Sequence, residues 1–273
     1  MGRGPSFDER ALRRDLQERL ATLAAEVDAT RRDAGFLEAL RTMARFWRYS
    51  VLNQAFIQLQ RPRATQVAGR RAWEAIGRRV KPGERPIHVF APSRRRGGVV
   101  RFMEVEVFDV RQTRGRRVAS VDLLLPGRTR HARILEAAAG RLGVEVATAA
   151  LPGNVLGRSC GGRIELLRGL AGRQRASVIA HELAHEVLHQ AERKRAAELK
   201  RPGPARTHAE KETEAEATAH VVLAVLGLPS KAPTYIAWQG GTGQGVLRSM
   251  NRIQRAAKAI LEAAGATRRE HRA

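Results

Sequence analysis

The stretch Ser177-Val-Ile-Ala-His-Glu-Leu-Ala-His-Glu-Val-Leu-His189 decides how the second half of the chain is read. Val178, Ile179, Leu183, Val187 and Leu188 recur at helical spacing and give one apolar face, so a buried helix is predicted over about 172–190. On such a helix His181 and His185 stand one turn apart, with Glu182 beside the first. This is the H-E-x-x-H arrangement of two metal-ligating imidazoles and an adjacent carboxylate base. With 8 His in 273 residues, chance supplies only about 0.02 such strings, so coincidence explains it poorly. His185 to His189 is a second, overlapping copy. Histidines eight apart on a helix are about 12 Å apart along its axis, whereas zinc–nitrogen bonds are about 2.1 Å, so one ion cannot hold all three. The first pair lies mid-helix, where burial can fix the rings, and the second runs into a polar stretch after Gln190. His181 and His185 are therefore the expected ligands, Glu182 the expected base, and His189 a packing or hydrogen-bonding residue.

A catalytic zinc takes three protein ligands and keeps one position open. Leu188 and Ala191 stand where the metzincin string needs Gly and His, so the third ligand must come from elsewhere. Past Pro202-Gly203-Pro204 a helix predicted over about 207–226 carries Glu210, Glu212, Glu214 and Glu216. Glu212 and Glu216 share a face with Ala215, Ala219, Val222, Leu223 and Leu226, the small and apolar side that can pack on the histidine helix, and Glu214 points elsewhere. The pattern points to Glu212 as third ligand and Glu216 as acceptor for the outer ring N–H of His181 or His185. A plainer alternative stays open, in which the acidic run only stabilises a helix N-terminus.

Outward from this site, a helix is expected near His131 to Leu142 and a strand over Val144 to Leu151. A glycine turn enters a strand ending at Leu167, whose residues Arg163 to Leu167 are expected to pair with an extended substrate. A last helix covers Gly245 to Ala264. In the first half, helices are expected over Phe7 to Asp28 and Phe36 to Gln60, the latter interrupted near Ser50. Strands over Pro86 to Pro92 and Val99 to Val110 are joined by the turn Arg94-Arg95-Arg96-Gly-Gly. The expected class is α+β: an N-terminal α+β DNA-binding module over 1–125, then a mainly helical zincin-like metallopeptidase domain with a small sheet over 126–273.

Charge bears on partners. The formal net charge is +23, the sign expected of a nucleic-acid partner. Part of the Arg excess is compositional, since only six of the 50 cations are Lys, but between Arg41 and Arg96 fourteen cations face two acids. Phe46, Trp47, Tyr49, Phe56 and Trp73 are interleaved with them, in a chain only 4% aromatic. Cationic grooves with aromatic faces are how single strands are held. The single cysteine, Cys160, excludes an internal disulfide framework and is read as a structural thiol in a reducing cytoplasm. No apolar run approaches the roughly 20 residues of a membrane span, and no secretory signal is readable.

Two resemblances sharpen these readings. His181 to His189, followed by Glu212-Thr-Glu-Ala-Glu216 and the helix to Val222, resembles the ImmA/IrrE-type zinc metallopeptidases over roughly 130 to 230. Phe46-Trp-Arg-Tyr-Ser-Val-Leu-Asn53, Arg61 to Gly69, Trp73, Gly77 to Glu84 and Phe108 to Thr113 resemble the N-terminal single-stranded-DNA-binding domain of ArdC-like antirestriction proteins, a family that joins this domain to a metallopeptidase domain. The resemblance implies a Zn2+ site of His181, His185 and Glu212, with Glu182 as catalytic base and His220 or Tyr235 as candidate transition-state donor. It also implies DNA contacts from Trp47, Arg48, Tyr49, Asn53, Arg61, Arg63, Trp73, Arg78, Arg79 and Lys81. The implied partners are single-stranded DNA and a protein or peptide substrate, such as a DNA-bound regulator, with no membrane. The competing reading is a non-catalytic antirestriction-type DNA-binding protein with a structural zinc.

Overall fold

The computed structural model describes Arg14, Glu18 and residues 29–94, 100–116, 130–190, 206–230 and 243–266. The architecture is mixed α+β. Two compact units divide the chain, one of Met1–Arg19 and Arg48–Ser120, the other of Leu20–Trp47 and Val121–Ala273. Apart from Arg14 and Glu18, the helix expected over Phe7 to Asp28 falls outside the described residues. So do residues 95–99 of the basic turn.

The helical stretch around Ser50 is two helices, α1 (Ala29–Arg45) and α2 (Val51–Gln60). Their break is a cap: Ser50 is extended, and its hydroxyl accepts from the Asn53 N–H at 3.3 Å. In the unit containing Arg48–Ser120, α2 is followed by β1 (Val67–Ala68), α3 (Arg70–Glu74), β2 (Arg78–Val80), β3 (Ile87–Arg94), β4 (Val100–Asp109), a 3-10 turn (Val110–Gln112) and β5 (Thr113–Gly115). The expected hairpin forms: β3 and β4 pair antiparallel with Val89 opposite Val105, and β1 adds to the far side of β4. β2 pairs with β5 as a separate ribbon.

One edge of this sheet is closed by side chains. On the outer side of β3, Asn53 accepts from the Phe90 N–H at 2.9 Å and donates to the Phe90 carbonyl at 2.7 Å. Seven residues on, and so on the same face of α2, Gln60 repeats the pattern on His88 at 2.9 Å for both bonds. A primary amide carries both a donor and an acceptor, so each can replace a missing strand partner. Asn53, expected at the DNA, is thus buried in the fold as the terminator of β3.

The second unit holds α1, α4 (Arg130–Arg141), β6 (Glu145–Ala149), β7 (Gly157–Ser159), β8 (Arg163–Leu167), α5 (Gly172–His185), a π-helical turn (Glu186–Gln190), α6 (His208–Val225) and α7 (Gly243–Ala263). Helix α1 packs on α6, with Phe36, Leu40 and Met43 wholly buried along one stripe, so its contacts are with this unit although it precedes the first in sequence. The small sheet has the order β6-β8-β7, β8 being parallel to β6 and antiparallel to β7. Both edges of β8 are therefore occupied, and the expectation that Arg163–Leu167 receives a substrate strand is corrected. The exposed edges belong to β6 and β7. Helices α5, α6 and α7 meet at Ala184, Leu188, Ala215 and Ala256, where small side chains allow close approach. Among the described residues no helix is long and apolar enough to cross a membrane.

Replacing Asn53 by Ala leaves the Phe90 N–H and carbonyl without partners at a covered edge, and the expected cost is about 1–3 kcal/mol. Urea unfolding followed by tryptophan fluorescence measures it; an unchanged midpoint would show that solvent satisfies the edge equally well.

Candidate metal centre

The histidine helix presents its two imidazoles to α6. His181 Nε2 and His185 Nε2 lie 3.1 Å apart. The Glu212 carboxylate closes the triangle, with Oε2 3.4 Å from His181 and Oε1 3.3 Å from His185. Three ligand atoms each about 2.1 Å from one tetrahedral centre are about 3.4 Å from one another, and one ligand atom from each of these side chains lies within 4.8 Å of the other two, near the spacing of a zinc-sized ion. Burial, the largest influence on His185, together with the neighbouring His181, pulls its pKa down, outweighing the pull of Glu212 in the other direction. A neutral imidazole is the form that coordinates a metal. Among the described residues this is the one cluster of three such ligands.

Glu182 is buried beside the trio. Loss of solvation, then the charges of Glu212 and Glu186, push its pKa up to about 7, opposed by a hydrogen bond from the Ser159 backbone N–H. A carboxyl near neutrality can both accept and return a proton. What brings β7 close enough to supply that N–H is a glycine. A Cβ at Gly157 would lie 2.5 Å from Val178 Cγ1 and 3.1 Å from Glu182 Cγ, so only a bare Cα lets the strand settle on the helix there. Leu156 and Cys160 bond across to β8, at 2.8 Å to Leu167 and 2.7 Å to Arg163. In an antiparallel ladder the alternating residue Gly157 then aims its own N–H and carbonyl away from β8.

Sequence reasoning missed Glu186, the glutamate of the second H-E-x-x-H copy. Its buried carboxylate accepts from the Ser159 hydroxyl at 2.5 Å and from the N–H groups of Gly161 and Gly162 at 2.8 and 2.7 Å, tying the β7–β8 turn to the helix. The signal was present in the Ser-Cys-Gly-Gly turn, whose free N–H groups need an acceptor. His189 takes the hydrogen-bonding role expected of it, with Nε2 3.3 Å from the Lys211 carbonyl and a pKa lowered to about 4, chiefly by burial.

The four glutamates of α6 separate by face. Glu210 completes a capping box with Thr207 and so supplies the helix-terminus role. Glu214 is 0% exposed and points to α7, accepting from Ser249 at 2.8 Å and from Arg252 at 3.1 and 3.0 Å. Burial raises the Glu214 pKa and lowers that of Arg252 to about 10, the mark of two charges withdrawn from water together. Glu216, expected to accept from a ligand histidine, is exposed at the rim of the adjoining cleft, and among the described residues no hydrogen bond joins it to either ring. His220 lines the same cleft with Nδ1 2.7 Å from Ser230 Oγ, and Tyr235 lies outside the described residues.

Several residues expected at DNA are used by the fold instead. Trp73 is fully buried and donates to the Phe108 carbonyl at 2.9 Å, so it offers no stacking face. Arg78 is buried between β2 and β5, its guanidinium spent on Thr113, Gly115, Arg116 and Val110. Tyr49 is half-buried with its hydroxyl on the Val67 carbonyl, as is Trp47, whose carbonyl accepts from Gln254. Arg48, Arg63, Arg79 and Lys81 are exposed and Arg61 partly so; Lys81 Nζ also donates to the Arg111 carbonyl at 2.8 Å.

No family model and no curated protein matches the chain. It is similar in structure to the antirestriction protein ArdC of the R388 plasmid. In the metal-free structure of that protein the identity is 18% and the TM-score 0.45, over 81% of this chain and 85% of that one. In its Mn(II)-bound structure the values are 17% and 0.47, over 83% and 98%. With fewer than one residue in five shared, the likeness assigns no role to any side chain here.

The two glutamates on opposite faces of α6 should separate under mutation. Glu212→Ala is expected to lose zinc while leaving the unfolding midpoint of chelator-treated protein unchanged. Glu214→Ala is expected to cost about 3–5 kcal/mol, by taking the carboxylate from the buried Arg252, yet still to take up about one zinc per chain in the cold. Metal analysis beside chemical denaturation decides it, and equal zinc loss in both variants would remove the assignment of Glu212.

Proposed function

We propose that the chain is a zinc-dependent metallo-endopeptidase that also binds single-stranded DNA. The observation carrying the hydrolase reading is the convergence of His181, His185 and Glu212 with a buried carboxyl, Glu182, beside them at a cleft. His181, His185 and Glu212 would hold a zinc, which would supply Lewis acidity at the cleft. Glu182, buried beside the trio, takes up the proton released on attack and delivers it to the departing amine. The outward N–H and carbonyl of Gly157 hold an extended peptide alongside β7, the role sequence had given to β8. His220 is the donor this reading assigns to charge developing on the substrate carbonyl. A purely structural zinc is the rival. It has four protein ligands as a rule, and three converge among the described residues.

Glu182→Gln should keep both zinc and stability but lose hydrolysis, because the amide is isosteric and cannot accept the proton. Incubation of the zinc-loaded protein and the variant with a mixed peptide library, read by mass spectrometry, makes the comparison; equal cleavage by both would remove Glu182 as base.

The DNA reading rests on exposed cations, with Arg48, Arg63, Arg79 and Lys81 outward on the unit that carries the hairpin. The Arg61→Ala, Arg63→Ala double variant should flatten the salt dependence of single-strand affinity by about one to two units of slope. Titration of labelled oligonucleotides at several salt concentrations measures this, and duplex bound as tightly as single strand at physiological salt would leave only nonspecific attraction.

A further inference from the structure

The cleft beside the metal ligands is apolar on most of its walls. Its volume is about 790 Å³, within the roughly 300–1,000 Å³ span of small-ligand sites. His181 and Glu182 form part of its lining, so it is continuous with the candidate centre. Leu223 and Ala219 close the α6 side almost wholly buried, and Val178 lines the α5 side. Leu156, 37% exposed, and its neighbour Val155, 41% exposed, stand at the β7 side. These two are among the few large apolar side chains of the described residues left open to water, and both face this one cleft. Glu182 and Glu216 line it too, as do the cation Arg173 and the imidazoles of His181 and His220, so charge in it is mixed and the preference must come from the uncovered apolar surface.

We propose that this cleft selects a branched aliphatic side chain on a residue adjoining the peptide bond presented to the metal centre. The inference rests on the metallopeptidase reading and adds a substrate class to it. A leucine-sized group covers Leu156, Val155 and Val178 at once, removing from water apolar surface that the chain itself leaves uncovered. Alanine is too short to do so, and aspartate brings a charged group in place of apolar surface. Differences of one methylene in such a pocket are worth roughly 10–200-fold, so a preference of tenfold or more for isobutyl over methyl is expected.

Binding, not turnover, tests this. Two hydroxamate series are titrated calorimetrically into the zinc-loaded full chain: N-acetyl-amino-acid hydroxamates and 2-substituted succinyl hydroxamates, which carry the side chain on opposite sides of the chelating group. Each series has isobutyl, methyl and carboxymethyl members. The expected result is that in one series isobutyl binds at least tenfold tighter than both others. Ala219→Leu, which narrows the cleft, should abolish that advantage while zinc content stays as it was. Should that variant fail to fold, Val155→Asp at the exposed rim should reduce the same preference. Equal affinity of all three members in both series, with zinc bound, overturns the selectivity and leaves the metal site standing. No hydroxamate binding to zinc-loaded protein, or zinc content indifferent to loss of Glu212, overturns the metal reading itself.

Discussion

A carboxylate that never meets water fixes the geometry of the centre. Glu214 is 0% exposed and held to α7 by Arg252 and Ser249. A buried ion pair is a poor source of net stability, since desolvation consumes most of the attraction, yet breaking it strands a charge. The pair therefore tolerates few orientations of α6 about its axis. Two residues earlier on a helix is about 200° around, so with Glu214 turned to α7, Glu212 is turned to the imidazoles. The ligand is aimed by an interaction on the opposite side of its own helix.

The histidine helix is fixed in a comparable way from its sheet. Glu186 anchors the β7–β8 turn, Gly157 permits contact between strand and helix, and Ser159 reaches Glu182 through its backbone. A carboxyl held near neutrality needs burial without complete isolation. The strand supplies cover and one N–H, and the cleft leaves the other side accessible.

Much of this was legible in sequence because helical periodicity and metal chemistry restrict residue types at fixed spacing. His181, His185 and Glu212 follow from the spacing of imidazoles on one turn and the face of the acidic helix. The interruption of the helix near Ser50 and the hairpin of β3 and β4 were readable for the same local reasons. What sequence could not supply was pairing between distant segments. That β8 is central follows from β6 and β7 flanking it, which no local pattern reveals. Trp73, Arg78 and Asn53 have the residue types of a DNA surface, and their burial became visible only when Phe108, the carbonyls around β5 and the outer edge of β3 were placed against them. Glu216 lines the adjoining cleft and among the described residues bonds to neither ring, a detail that spacing along a helix face does not resolve.

The amide pair on α2 has a consequence beyond the unit's own stability. A sheet edge with open backbone groups is a template on which another chain's strand can grow, and the hairpin here also exposes Phe102 and Met103. Apolar side chains and an unpaired edge together are the ingredients of ordered aggregation. By occupying Phe90 and His88 with its own side chains, the protein denies a second copy the hydrogen bonds needed to start there, so Phe102 and Met103 on β4 are available for contact without seeding fibril growth along β3.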